Sequence, residues 1–189
     1  GAVFTLWSGD GEYVYFTSSE NGAYNIFRKK VGQSGPAERM TESPNAQRAT
    51  AVSPDGRVLL FQEQDPVTFN DIWVLPLDGR RPAVLVKSKA RERFATFHPD
   101  GKWIAYDSNE SGRSEIYVQG YPDAGQRMQV STEGGSFPAW NLVGRELIYL
   151  NGDQLVAVPF IPGQRLRFGL PRVLFKAEMI VRAAAQGHA

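Results

Sequence analysis

Short runs of β-branched and aromatic residues, separated by polar turns, recur along the whole chain. The clearest runs each follow a turn signal and lie at 13–16, 58–61, 103–106 and 146–149. They are apolar at consecutive positions rather than at alternate ones, which is typical of strands buried on both faces. No segment shows a convincing helical period. The pattern therefore predicts an all-β protein whose sheets are covered on both sides.

The turn signals themselves repeat at a nearly constant interval. They are Ser8-Gly9-Asp10-Gly11, Ser53-Pro54-Asp55-Gly56, His98-Pro99-Asp100-Gly101 and Asn141-Leu142-Val143-Gly144. Their closing glycines are 45, 45 and 43 residues apart. A period of 40 to 45 residues is that of a four-stranded propeller blade. In such turns, Asp can bond its own backbone and Gly accepts a left-handed conformation.

Three further strands fit around each of these runs, so that every repeat holds four. First strands are predicted at 4–7, 49–52, 94–97 and 137–140, third strands at 25–27, 71–73, 115–117 and 154–156, and fourth strands at 38–41, 83–86, 128–131 and 172–175. We therefore predict a β-propeller of four-stranded antiparallel blades, with about four blades. A solenoid is the competing repeat class, but solenoid coils are usually shorter or helical.

The repeats predict a domain of residues 1–175. Its blades lie at approximately 3–41, 48–86, 93–131 and 136–175. The remaining residues, 176–189, are interpreted as a C-terminal tail or as the start of a truncated next blade.

Two segments carry a family resemblance. Residues 104–118, IAYDSNESGRSEIYV, and 129–140, QVSTEGGSFPAW, resemble the TolB-like, or WD-like, propeller repeat, whose signature includes the Ser-Pro-Asp-Gly turn. More narrowly, residues 94–175 resemble the C-terminal sensor propeller of bacterial membrane-linked serine/threonine kinases. This resemblance implies a binding fold and an extracytoplasmic location. Kinase motifs are absent from the sequence, so it implies no kinase activity.

An arc of four blades raises the question of how its ends are covered. Blades bury both faces against neighbours, and large exposed apolar patches are usually interfaces. Three arrangements stay open: a closed four-bladed ring, two arcs paired into one ring, or a partial propeller from a longer parent. The second arrangement predicts a homo-oligomer formed through the terminal blades.

Composition and charge exclude several classes of function. The chain has no cysteine, which excludes disulfides and thiolate metal sites. Its net charge of +1 indicates no nucleic acid partner. Its apolar runs are too short for a membrane span, which needs about 20 residues.

The residue types that could serve in catalysis or ligand binding all have a structural interpretation in this sequence. Of the two histidines, His98 fills a turn position and is predicted to cap that turn, and His188 lies in the tail. The aspartates at 10, 55 and 100 repeat once per blade, which indicates turn bracing rather than catalysis. The tryptophans at 7, 73, 103 and 140 suit either a stacking platform for a ligand or packing between blades. The residues at the same positions of the other repeats are also apolar, which favours packing. We therefore predict no enzyme activity, no cofactor and no metal.

One segment of the chain carries a local excess of positive charge. It contains Lys87, Lys89, Arg91 and Arg93 within seven residues and is interpreted either as a solvated loop or as a site for an acidic partner. Arg48 and Arg93 both stand five residues before a turn, just ahead of an innermost strand. Loops there open near the central channel, where propellers commonly bind ligands. The candidate interaction surface is therefore Arg48, Arg93, Lys87, Lys89 and Arg91, with outward salt bridges as the alternative for the two arginines.

These observations predict a non-catalytic scaffold that binds a protein, peptide or small ligand through loops on one face. By resemblance, it is the sensor part of a signalling protein. Two alternatives stay open: the gating propeller of a prolyl-oligopeptidase-like serine peptidase, and a structural unit of self-assembly.

Overall fold

The computed structural model describes residues 2–20, 22–161 and 166–176. In those ranges the regular secondary structure consists of β-strands, which form four antiparallel sheets. This confirms the predicted all-β class and the number of about four blades. The chain divides into two compact units, residues 1–97 and 98–189.

The first unit holds two complete sheets and one further strand. Its first sheet has the order β1 (Ala2–Trp7), β2 (Tyr13–Ser18), β3 (Asn25–Lys30), β4 (Glu38–Arg39). Its second sheet has the order β5 (Gln47–Val52), β6 (Val58–Asp65), β7 (Phe69–Pro76), β8 (Ala83–Val86). The last strand of the unit is β9 (Glu92–Phe97), the first strand of the third sheet.

The second unit holds the other strands. Those of the third sheet are β10 (Trp103–Ser108), β11 (Glu115–Gly120) and β12 (Arg127–Gln129). The fourth sheet consists of β13 (Ser136–Trp140), β14 (Glu146–Asn151), β15 (Gln154–Ile161), β16 (Arg167–Phe168) and β17 (Arg172–Lys176). The sequence did not predict β16, which is an additional strand beyond the four of each repeat. It forms because β15 is eight residues long and pairs with β17 at one end and β16 at the other.

The turns after the first strands are braced as predicted. Ser8 Oγ donates a hydrogen bond to Asp10 Oδ1 (2.5 Å), which also accepts from the Glu12 N–H (2.9 Å). Ser53 and Asp55 repeat the first of these bonds at 2.6 Å. Because the serine bonds favour the charged carboxylate, they lower the pKa of both aspartates below the ordinary value.

Burial follows the position of a strand within its sheet. In β6 the consecutive residues Leu59, Leu60 and Phe61 are fully buried, and β10 is buried from Ile104 to Ser108, so these two second strands are covered on both faces as predicted. In β2 and β14 only part of the apolar run is buried. The outermost strand β12, by contrast, is exposed along its whole length. Short, polar outer strands discourage pairing with another chain.

The tryptophans separate into two groups. Trp73 packs against the core of the first unit, and Trp103 and Trp140 against that of the second, as predicted. The packing prediction is wrong for Trp7, which is 62% exposed. Repeat equivalence places Trp7 correctly on a first strand, but it does not determine whether a neighbouring sheet covers that face.

His98 does more than the predicted capping of its turn. Its Nδ1 accepts a hydrogen bond from the Asp100 N–H (3.2 Å), which is the predicted role. Its buried ring also packs edge-on against Trp140, with 4.7 Å between ring centroids. Nε2 donates to the Gly144 carbonyl oxygen (2.8 Å) and so ties together two turns of the second unit.

Candidate binding site

The candidate site is formed by three neighbouring strands of the first unit. They are β1, β5 and β9, the first strands of their sheets, and β5 contacts both of the others. The guanidinium carbon of Arg48 is 3.6 Å from the centroid of the Phe4 ring and 5.0 Å from that of Phe94. The guanidinium carbon of Arg93 is 4.9 Å from the Phe94 centroid. Cations at these distances are attracted to the ring faces. We call Phe4, Arg48, Arg93 and Phe94 the Arg–Phe cluster.

The backbone holds both phenylalanines in an unusual conformation. Their φ angles are +57° at Phe4 and +54° at Phe94, in a region that bulky side chains rarely occupy. In β1 the pairing register shifts between Val3 and Leu6, around Phe4. A bulge of this kind redirects a side chain, and conformations of this kind concentrate at ligand clamps and active sites.

A glutamine links the two arginine-bearing strands. Gln62 on β6 is the register partner of Arg48. Its Oε1 accepts a hydrogen bond from the Phe94 N–H (3.2 Å). The backbone of Phe94 is therefore fixed beside the strand pair that carries Arg48, and its ring is held in reach of the Arg48 guanidinium.

Positive charge is concentrated in this cluster. Burial and the neighbouring charge of Arg93 both lower the pKa of Arg48, burial contributing the larger part. An arginine remains protonated at neutral pH despite such a shift. Among the residues that the structure describes, no carboxylate forms an ion pair with Arg48.

Lys87 lies in a different environment from the two arginines. Its Nζ is 2.9 Å from Asp71 Oδ2 and 3.1 Å from Asp65 Oδ2. The Asp71 side chain is only 1% exposed and also accepts a hydrogen bond from Thr68 Oγ1 (2.8 Å). Both carboxylates raise the pKa of Lys87. This lysine balances a buried charge.

The loop between Lys87 and Arg93 is compact. Ser88 Oγ donates to Glu92 Oε1 (2.5 Å) and accepts from the Ala90 N–H (2.8 Å). Lys89 is exposed in this loop, and Arg91 is partly buried. Of the five residues predicted to form an interaction surface, the structure groups Arg48 with Arg93 around one ring and places Lys87 in the network with Asp65 and Asp71.

Replacing Lys87 with alanine is expected to destabilise the protein. The substitution removes the cation beside the buried Asp71 carboxylate. Among the described residues, that carboxylate then keeps only its hydrogen bond from Thr68 Oγ1. Lys89→Ala is the matched control, because Lys89 is exposed in the same loop. In urea denaturation, the midpoint should fall for Lys87→Ala and stay unchanged for Lys89→Ala. Equal midpoints for the two variants would show that Lys87 has no such structural role.

The phenylalanines of the cluster are the site residues that the sequence interpretation missed. Both had been assigned to apolar first strands. A usable signal was present: the first residue of each predicted first strand is Phe4, Ala49, Phe94 and Phe137 in the four repeats. Of these, the three phenylalanines have positive φ angles.

The described portion of the chain lacks two other kinds of site. It holds no group of three or more His, Asp or Glu side chains arranged to bind a metal ion. Nor do these residues include a helix with the length and apolar character needed to cross a membrane.

A family model described as PD40, the TolB beta propeller domain, matches residues 7–166. The chain belongs to the TolB β-propeller family. Among curated proteins, the chain is similar to the Tol-Pal system protein TolB of Pseudomonas aeruginosa, with 41% identity over 58 residues. That match covers 31% of this chain and 13% of the TolB protein.

Solved structures agree with the family in their fold. A putative TolB from Agrobacterium tumefaciens matches with a TM-score of 0.73 at 20% identity, over 92% of this chain and 65% of that one. A structure from a study of two prolyl endopeptidases matches with a TM-score of 0.62 at 16% identity, over 91% of this chain and 28% of that one. The chain thus spans less than two thirds of the length of these relatives. At such identities the likeness shows the fold alone.

Proposed function

We propose that the protein is a non-catalytic scaffold that binds a protein or peptide at the Arg–Phe cluster. The observation that carries this proposal is the half-buried guanidinium of Arg48, held between two phenylalanine rings without a carboxylate partner in the described residues. Arginine and aromatic residues are the types most enriched at binding hot spots.

The setting of the cluster favours binding over a purely structural role. Phe4 is 46% exposed, so its ring is accessible to a partner. The surrounding first strands are hydrogen-bonded into sheets, and β6, which pairs with the Arg48 strand, is fully buried at Leu59, Leu60 and Phe61. A cluster fixed in this way loses little conformational freedom when a partner binds, and that preserves affinity.

Selection from a peptide display library on the immobilised 189-residue chain tests the proposal. We expect selected peptides to bind at least about tenfold more weakly to Arg48→Gln, since truncation of a hot-spot arginine has effects of this size. Arg57→Gln is the control. It removes the same charge from an exposed position in the turn after β5, beyond the far end of the strand from Arg48.

Two results would contradict this assignment. Peptides that bind wild type and Arg48→Gln equally would place binding elsewhere on the protein. An equal loss in Arg57→Gln would show that net charge, and not the cluster, determines binding. Circular dichroism of each variant verifies that the fold is retained.

Within this function we propose a sensor role in an extracytoplasmic signalling protein. The resemblance of residues 94–175 to kinase-linked sensor propellers supports it. A kinase domain and a membrane span encoded upstream in the same gene would be the corresponding arrangement.

Association of two copies through the terminal sheets stays a prediction, and the exposed Trp7 on β1 and Phe175 on β17 are consistent with it.

The second candidate is the gating propeller of a prolyl-oligopeptidase-like peptidase. The fold similarity to the prolyl endopeptidase structure favours it. In that case the catalytic residues would belong to an α/β-hydrolase domain of the same polypeptide. The gene sequence downstream of this chain distinguishes the two candidates.

A further inference from the structure

The short contact between Arg48 and Phe4 determines how the guanidinium is oriented. The guanidinium carbon is 3.6 Å from the ring centroid. At this distance the planar guanidinium stacks parallel to the ring, because an edge-on approach would place a nitrogen too close to the ring carbons. The N–H donors of a guanidinium lie in its plane. They therefore point along the ring surface and not into it. No described residue accepts a hydrogen bond from them.

The charge around these donors favours an anionic ligand. The Arg93 guanidinium shares the Phe94 ring with Arg48, and the repulsion between the two charges contributes to the lowered pKa of Arg48. An anion placed against the Arg48 donors would relieve both the repulsion and the loss of solvation. A neutral or cationic group would relieve neither.

We infer that Arg48, oriented by Phe4 and Phe94 and assisted by Arg93, binds a carboxylate of an acidic peptide segment. The inference rests on the proposed function and specifies its ligand. The planar fork of a guanidinium matches a carboxylate bidentately, and such charge-assisted pairs are strong and directional. The exposed part of the Phe4 ring offers an apolar surface beside the donors, which suits the methylene groups of an aspartate or glutamate side chain.

Titration of the ¹⁵N-arginine-labelled chain with acetyl-tetraglutamate amide tests this inference by NMR. We expect the Nε–Hε signals of Arg48 and Arg93, identified with Arg48→Gln and Arg93→Gln, to shift and saturate. The signal of Arg57 should not follow. Acetyl-tetraglutamine amide at the same ionic strength is the matched neutral probe and should leave all three signals in place. Phe4→Leu should weaken the tetraglutamate response severalfold, because the arginine loses its aromatic support.

Three outcomes would overturn the inference. Tetraglutamine could shift the cluster signals as much as tetraglutamate does, Arg57 could respond in parallel with Arg48, or no signal could shift. A third titration, with inorganic phosphate, identifies a different anion: a response to phosphate without one to tetraglutamate would replace the carboxylate with a phosphoryl group.

Failure of this inference is distinguishable from failure of the proposed function. Displayed peptides that lack acidic residues but still require Arg48 would overturn the carboxylate and leave peptide binding in place. A saturable tetraglutamate response at Arg48, without any displayed peptide that depends on this residue, would support the carboxylate site and contradict the broader function.

Discussion

Gly144→Ala is expected to be among the most destabilising single substitutions in the second unit. Gly144 has φ +65°, and a Cβ added there would lie 2.7 Å from His98 Cε1. The His98 ring has little room to move, because it packs against Trp140 and Phe160. The left-handed backbone costs an alanine about 1–2 kcal/mol, and overpacking adds about 1–3 kcal/mol.

Gly152→Ala separates these two contributions. Gly152 has nearly the same backbone conformation, with φ +58°, but no atom lies within 4 Å of its added Cβ. Urea denaturation of both variants should therefore show a loss of about 1–2 kcal/mol for Gly152→Ala and a clearly larger one for Gly144→Ala. Equal losses would show that the His98 ring moves away from the added methyl group without lowering the free energy of unfolding. Gly144→Ala combined with His98→Ala should recover part of the difference.

Glu115→Ala is the second substitution with a large expected effect. The Glu115 side chain is 1% exposed and sits at the centre of a polar network. Its carboxylate accepts hydrogen bonds from Ser131 Oγ, from the Gly134 N–H (3.0 Å) and from Arg113 Nε (2.6 Å). Alanine would leave the buried Ser131 hydroxyl and the part-buried Gly134 N–H without their acceptor, whereas the exposed Arg113 can turn to solvent. We expect a loss of about 2–4 kcal/mol in the free energy of unfolding.

Glu133→Ala is the matched control for this prediction. Glu133 carries the same charge and lies next to Gly134, a partner of Glu115, but it is exposed, so its removal should change stability by less than about 0.5 kcal/mol. Glu115→Gln should fall between the two, because an amide oxygen can still accept the Gly134 N–H. A Glu115→Ala variant as stable as Glu133→Ala would mean that water replaces the carboxylate without penalty.

The strands could be predicted from sequence because propeller sheets are local. Each sheet uses consecutive strands, so the turns around Asp10, Asp55 and Asp100 determine where pairing begins. The length of those turns then sets the register between the first and second strands. The short strand β16 escaped prediction because its pairing depends on the length of β15 and not on its own residues.

The candidate site was predictable only in part. Counting positions within the repeat placed Arg48 and Arg93 at equivalent points, and the structure brings them to a common ring. Their aromatic support was missed because Phe4 and Phe94 fit an apolar first strand. Phenylalanine recurs at this repeat position, but its recurrence does not by itself indicate the positive φ of the bulged backbone. Lys87 looked like a member of the same basic surface, because sequence does not show that Asp71 is buried beside it.

The consecutive strand order in the first two sheets also bears on how the chain reaches its native state. Residues 2–39 and 47–86 each contain every strand of one sheet, so most backbone pairing joins residues close together in sequence. Low sequence separation of contacts favours rapid folding. During synthesis, the ladder of the first sheet can close before the second has left the ribosome. The Arg–Phe cluster, by contrast, needs β1, β5 and β9 together, so it is assembled only after all three have emerged.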